Sequence, residues 1–252
     1  MFKSMHEMEE PLVIGNVWDV PSAKIAESVG FSVIGTSSAA IAKNFGKEDG
    51  ENIRFEDLLS IVKAIAKSTE LPLTVDLESG YGETPEIIAK NMIELVKVGV
   101  VGVNIEDSVV IDGERCLCDS TLFGKTLEKV REYIREAGLE IFINVRSDAF
   151  LLNVEDPVAT SIERIKIYQQ AGADGIFLPC IIKKDDIKSV VDSTSLPINV
   201  MCLPGLPSFS ELKNLGVKRI SMGNFVHEAM LGSLSAILAS IKRDQSFEAL
   251  FK

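Results

Sequence analysis

The stretch "LPLTVDLESGYGE", Leu71–Glu83, decides the fold. Its first part, Leu73–Leu77, is a short apolar run with Thr and Val, bounded by Pro72 and the glycine-rich Ser79-Gly80-Tyr81-Gly82, and predicts a buried strand. That strand delivers Asp76 and Glu78 at its end, and period two would point both carboxylates to the same side. Similar runs recur on either side. They predict strands at Leu12–Gly15, Val33–Thr36, Leu73–Leu77, Gly102–Ile105, Glu140–Val145, Gly175–Leu178, Ile198–Met201 and Arg219–Met222.

Between them stand segments with apolar residues at i, i+3 and i+4, such as "FEDLLSIVKAIAKS", "PEIIAKNMIELVKVG" and "TLEKVREYIREAG". Several end in a glycine suited to the left-handed position after a helix (Gly30, Gly99, Gly138, Gly172, Gly216), and Pro85 sits where a first helical turn accepts it. Eight strand-then-helix units in 252 residues predict a (β/α)8 TIM barrel, read as one catalytic domain over residues 1–252. A doubly wound open sheet competes, but no G-x-G-x-x-G follows the first strand.

The formal charge of −11 and pI near 4.8 argue against nucleic-acid or anionic-membrane partners, which need a basic field. The start, "MFKSMHEMEEPL", has no apolar leader core, and no later run approaches the roughly 18 apolar residues of a membrane helix, so a cytoplasmic location is expected. Cys116, Cys118, Cys180 and Cys202 are too few and too irregularly spaced for a disulfide framework. With only His6 and His227 and no C-x-x-C pair, structural zinc is not expected.

In a barrel the chemistry sits where strands end. There the sequence places Asn16, Trp18 and Asp19, then Ser37 and Ser38 with Asp49 further along the same loop, then Asp76 and Glu78, Glu106 and Asp107, Arg146 and Asp148, and finally Asn224. Crowded acids with no histidine beside them fit Mg²⁺, or Mn²⁺, bound through oxygen and water. Arg146 cannot ligate a cation; its planar fork suits a substrate carboxylate. Each residue has a plainer use as well. Asp76 and Glu78 could cap a helix or satisfy loop amides, Arg146 could pair with Asp148, and Trp18 could plug the barrel end.

The longest polar interruption outside the Asp49 loop, "SVVIDGERCLCDSTLFGK", predicts a mobile cover over the mouth. Cys116 or Cys118 on it could deliver a proton to a carbanion, or both could be incidental surface thiols.

With these residues in view, the chain resembles the isocitrate lyase/phosphoenolpyruvate mutase superfamily, in its shorter phosphonomutase-like branch. "VDLESGYG" is similar to the family's D-x-[DE]-x-G-Y-G metal strand, "GVNIEDS" to its second acidic strand end and "INVRSDAF" to its arginine strand. "GNVWDVPSAKIAESVGFSVIGTSSAAIA" resembles its first unit and "LPINVMCLPGLPSFSELKNLGVKRISMG" its closing units. The resemblance implies a Mg²⁺-dependent enzyme on 2-oxo or 2-hydroxy carboxylates, a homo-oligomer (dimer or tetramer) with its last helix exchanged between subunits. It implies Asp76 as direct metal ligand, Asp49, Glu78 and Glu106 as acids acting largely through water, Ser37 and Ser38 as the substrate-gripping turn, and Arg146 as the clamp.

The cover departs from the pattern. Family lyases carry K-[KR]-C-G-H there and phosphonomutases a lysine and an asparagine, whereas this chain has "GERCLCD". The expectation is a carbon–carbon lyase working through an enolate, with Cys116 or Cys118 as acid and Arg146 and Asp49 in the catalytic set. Ser37, Ser38, Arg146, Trp18 and Asn224 are expected to touch substrate. A phosphonate mutase or hydrolase, and a non-catalytic 2-oxo-acid binder, are the alternatives.

Overall fold

In the computed structural model, residues 2–111 and 113–251 are described. A short α1 (Phe2–Met5) leads into β1 (Leu12–Val13) and β2 (Gly15–Val17), followed by α2 (Val20–Ser28), β3 (Ile34–Thr36), α3 (Ser38–Asn44) and α4 (Phe55–Ala66). Next come β4 (Leu73–Asp76), α5 (Pro85–Lys97), β5 (Val100–Glu106), β6 (Ser108–Ile111), β7 (Glu114–Leu117) and α6 (Ser120–Glu136). The chain continues through β8 (Phe142–Arg146), α7 (Pro157–Gln170), β9 (Gly175–Leu178), α8 (Lys184–Asp192), β10 (Ile198–Met201), α9 (Phe209–Leu215), β11 (Arg219–Ser221) and α10 (Phe225–Asp244).

The main sheet is parallel throughout and runs β1-β11-β10-β9-β8-β5-β4-β3-β2. Its two edges, β1 and β2, are halves of the predicted first strand. Ile14 between them donates to Ile220, and Gly15 donates to Val33. One strand thus pairs at both edges and the sheet closes as a (β/α)8 barrel. Helices start where local chemistry predicts: Thr84 caps α5 ahead of Pro85, and Ser208 with Glu211 forms a capping box on α9. Gly216 ends α9 in the left-handed region, φ 90°.

Two features depart from expectation. The cover is no irregular loop: β6 and β7 pair antiparallel, with Ser108 opposite Leu117 and Val109 opposite Cys116. Helix α8, over "KDDIKSVVD", joins the predicted helices.

The barrel interior is unusually polar. Asn144 donates to Asn104 on the neighbouring β5 (2.9 Å) and, across the interior past β9, to Asn199 on β10 (3.1 Å), which donates to Ser221 on β11 (3.1 Å). Gly175, on the strand between, leaves this path open; a Cβ there would stand 2.8 Å from Asn144 Oδ1. Bulky branched residues fill the usual barrel layers, and here those residues face the helices instead, as Val75, Ile143, Ile176, Leu178 and Val200 do within the main core. Below, Phe2, His6 and Phe142 close the far end, His6 stacking on Phe142 at 4.3 Å. Among the described residues no helix is long and apolar enough to cross a membrane.

Candidate active site

The carboxyl ends of the strands open into a cavity of about 220 Å³ lined by Asn16, the Ser37-Ser38-Ala39 turn, Asp49, Asp76, Arg115, Arg146 and Asn224, with Thr74, Asn104 and Arg219 deeper in. A larger groove of about 590 Å³ lies at the other end, between α1 and the residues before β3. Its lining is mostly apolar and carries no cluster of converging charges, so the chemistry belongs to the mouth.

Asp76 ends β4. Ser38 donates to its Oδ2 (2.9 Å) and the Thr36 hydroxyl receives its amide (2.9 Å). Burial raises its carboxyl; Arg146 opposes the shift and Asp49 adds to it.

Glu78 lies elsewhere than period two predicts. The strand stops at Asp76, and Glu78 takes a left-handed φ of 49°. Its Oε2 accepts from the amides of Gly50 and Glu51, and its Oε1 from the Tyr81 hydroxyl. It therefore pins the Asp49 loop against the mouth and does not line the cavity. Burial first, then Asp49, pushes its carboxyl up to about 7.

Glu106, at the end of β5, is held between two arginines. Oε1 accepts from Arg115, and Oε2 lies 2.9 Å from Arg146 Nη1 without hydrogen-bond alignment. Burial raises it to about 8 against the pull of Arg146 and Arg115. Arg146 lines the cavity as expected, but its fork is not free. Nε and Nη2 donate to Asp148 at 2.6 and 3.1 Å. Burial works against its charge, yet Glu106, Asp148 and Asp76 together hold the guanidinium above its ordinary value. Asp148 thus orients Arg146, leaving its outer N–H groups for a ligand.

Like Thr74, Asn104 and Arg219 deeper in, Arg115 is a cavity residue that sequence reading missed. It reaches down from β7 to Glu106, Ser108 (2.9 Å), Asp148 (3.3 Å) and, at 3.7 Å, Asp49. The alternation that sends Arg115 inward sends Cys116 outward. The structure places the two candidate thiol acids away from the cavity: Cys116 is exposed, Cys118 packs on the core, and neither lines it. The signal was present in β-branched "SVVI", Asp112-Gly113 and "ERCL", a hairpin pattern.

Trp18 also lies outside the cavity, buried edge-to-face against His227 at 4.8 Å. The structure brings Ser37, Ser38, Asp49, Asp76, Arg146 and Asn224 together, with Glu78 and Glu106 behind them.

Four acids, Asp49, Asp76, Glu106 and Asp148, thus surround Arg115 and Arg146, and Glu78 stands behind Asp49 and Asp76. Among the described residues, buried Asp49 Oδ1 and Glu106 Oε2 have no hydrogen-bond partner. Among the described residues no three Asp, Glu, His or Cys side chains form a metal cage by themselves. A divalent cation here would rest on one or two carboxylates and complete its shell with water or ligand, which is how Mg²⁺ is usually held. The excess of acid and the open oxygen of Asp49 fit that ion.

A (β/α)8 barrel with acids and an arginine at its mouth defines the class, and the comparisons place the chain within it. The phosphoenolpyruvate phosphomutase family profile matches residues 2–242, and the chain belongs to that family. A Mycobacterium tuberculosis H37Rv protein of uncharacterised function is 31% identical over 230 residues, covering 91% of this chain and 84% of the relative. An oxaloacetate decarboxylase of Bradyrhizobium sp. BTAi1 is 25% identical over 234 residues, covering 90% and 78%. The crystal structure of a phosphonomutase-like protein of Burkholderia cenocepacia J2315 superposes with a TM-score of 0.88 at 34% identity, covering 94% and 97%. The protein is accordingly an enzyme of the lyase or mutase type.

Proposed function

We propose that the protein is a Mg²⁺-dependent carbon–carbon lyase that cleaves a small 2-oxo or 2-hydroxy carboxylate through an enolate. The supporting observation is that Asp76 and Arg146 face one cavity beside the Ser37-Ser38-Ala39 turn. Asp76 and Asp49 would hold the cation, Mn²⁺ serving as well, with Glu78 and Glu106 behind them. When bound, the ion supplies Lewis-acid polarisation of the substrate's 2-oxo or 2-hydroxy oxygen.

The protein's own groups do the rest. Arg146, fixed by Asp148 and Glu106, donates its outer N–H groups to the substrate carboxylate. Backbone amides at the start of α3 have no partner within the helix and face the oxygen where charge builds. Ser38 keeps Asp76 in place, and Arg115 closes the site from the hairpin with a second positive charge. When the C–C bond breaks, its electron pair passes into the enolate of one fragment and the other leaves as CO2 or as a carbonyl compound; the enolate can take its proton from solvent, so the outward turn of Cys116 fits this reaction.

The test is release of a 2-oxo acid from a panel of 2-oxo and 2-hydroxy di- and tricarboxylates with Mg²⁺; no release from any member sinks the proposal. Asp76→Asn should weaken Mn²⁺ binding, followed by electron paramagnetic resonance, by about 100-fold, because even outer-shell partners are commonly worth 10–100-fold. Arg115 and Arg146 at the mouth also suit a dianionic phosphonate, the second reading. Phosphorus NMR on phosphonopyruvate with Mg²⁺ separates the two, since an unchanged spectrum removes the mutase.

We further infer that the chain works in the cytoplasm as a homo-oligomer. The support for assembly is Met230, Leu234 and Leu238, exposed at 45%, 49% and 57% and four residues apart along α10.

A further inference from the structure

Arg219, on β11, is 2% exposed and lines the inner end of the cavity, one layer below Asp76. Its Nη2 donates to two neutral acceptors, Thr74 Oγ1 at 3.2 Å and Asn104 Oδ1 at 3.4 Å. Its Nε and Nη1 are buried with no hydrogen-bond partner, and it makes no ion pair among the described residues. Buried guanidinium groups are ordinarily matched by a carboxylate or phosphate, because an unpaired buried charge is costly. The other buried arginines follow this rule: Arg146 meets Asp148, and Arg164 meets Asp107. Arg219 has donors, a charge and a cavity in front of it; Asp76 acts on it from a distance, but among the described residues no acid lies within ion-pair reach.

The surroundings are built for a polar occupant. Thr74, Asn104 and Ser221 share the wall with Arg219, and Gly35 contributes no side chain. A cavity of about 220 Å³ has room for several waters of about 30 Å³ each, or for an anion and a few waters.

We propose that the inner end of the cavity is an anion subsite in which Arg219 holds one small anionic group, of chloride to carboxylate size. The occupant is either a free anion or one carboxylate of a ligand whose other end lies in the mouth. The subsite does not rest on the enolate chemistry, and none of the measurements below uses turnover.

The test uses the metal-free wild-type protein and Arg219→Gln. Thermal unfolding is followed as chloride replaces gluconate at constant ionic strength, and as malonate or acetate is added. The expected result is a saturable rise in wild-type Tm of about 5 °C at hundredfold excess over Kd, lost in Arg219→Gln. A rise with chloride identifies a free anion; a rise with malonate alone identifies a carboxylate of a dianionic ligand. Flat curves in every anion, or rises of equal size and midpoint in Arg219→Gln, overturn the proposal. Should that variant not fold, wild-type crystals soaked in bromide and in malonate decide the matter. Bromide or carboxylate density within hydrogen-bond distance of Nε or Nη1 supports the subsite, and water alone in both soaks overturns it.

Discussion

At the scale of single residues the mouth is a balance between acids and two arginines, and the arginine from the hairpin went unread. In "ERCLC" the cysteines draw attention because they can move protons, yet the parity of the strand decides which side chains enter the cavity. Arg115→Ala should lower kcat/KM by about 100-fold, the scale of one lost electrostatic donor, and Arg115→Lys should recover part of it. Cys116→Ser should stay within about twofold of wild type in the same assay. A collapse of activity in the serine variant would restore the thiol acid and displace Arg115 from the site. Asp76 and Arg146 were legible because each ends a strand whose apolar run fixes its place. Glu78 was misplaced because the sequence does not announce a left-handed turn at a non-glycine residue.

At the scale of elements the hairpin is anchored from beneath. Asp107, fully buried at the end of β5, accepts from Ser147 (2.7 Å), Arg164 (2.8 Å) and Tyr168 (2.8 Å). Arg164 also donates to the Cys118 carbonyl at 2.7 Å, tying the foot of β7 to α7. Removing the charge should leave Asp107 uncompensated, so Arg164→Met should cost about 3 kcal/mol in urea unfolding. A loss below about 1 kcal/mol, the range of an exposed pair, would show that the network contributes little. The barrel itself was legible, since alternating strand and helix periods leave few alternatives. The Asp107–Arg164–Tyr168 contact was not, because it joins residues about sixty positions apart with no local pattern.

At the scale of the whole molecule, two predictions concern its lower end and its surface. Burial, reinforced by Arg219, pushes the His6 imidazole from 6.5 down to about 4. The unfolded chain therefore binds a proton between those values that the folded chain refuses. Stability linked to His6 is full above pH 6.5 and is lost as pH falls toward 4, by about 2 kcal/mol at pH 5. Relative to His6→Gln, the wild type should lose that amount between pH 7.5 and 5; parallel curves would show that His6 is not held neutral. On the surface, Leu234→Glu should convert an oligomer to monomer in sedimentation, and a wild type already monomeric would remove α10 as an interface.

The split first strand has a consequence in time. β2 can find β3 as soon as the first few dozen residues leave the ribosome, but β1 must wait for β11, with Leu12 opposite Arg219. At roughly 5–20 residues per second that is a wait of about 10–40 s with an unsatisfied strand edge. Until then β1 lacks the partner it has in the closed barrel. A synonymous-codon pause placed before residue 219 should therefore prolong chaperone association, whereas the same pause after it should not.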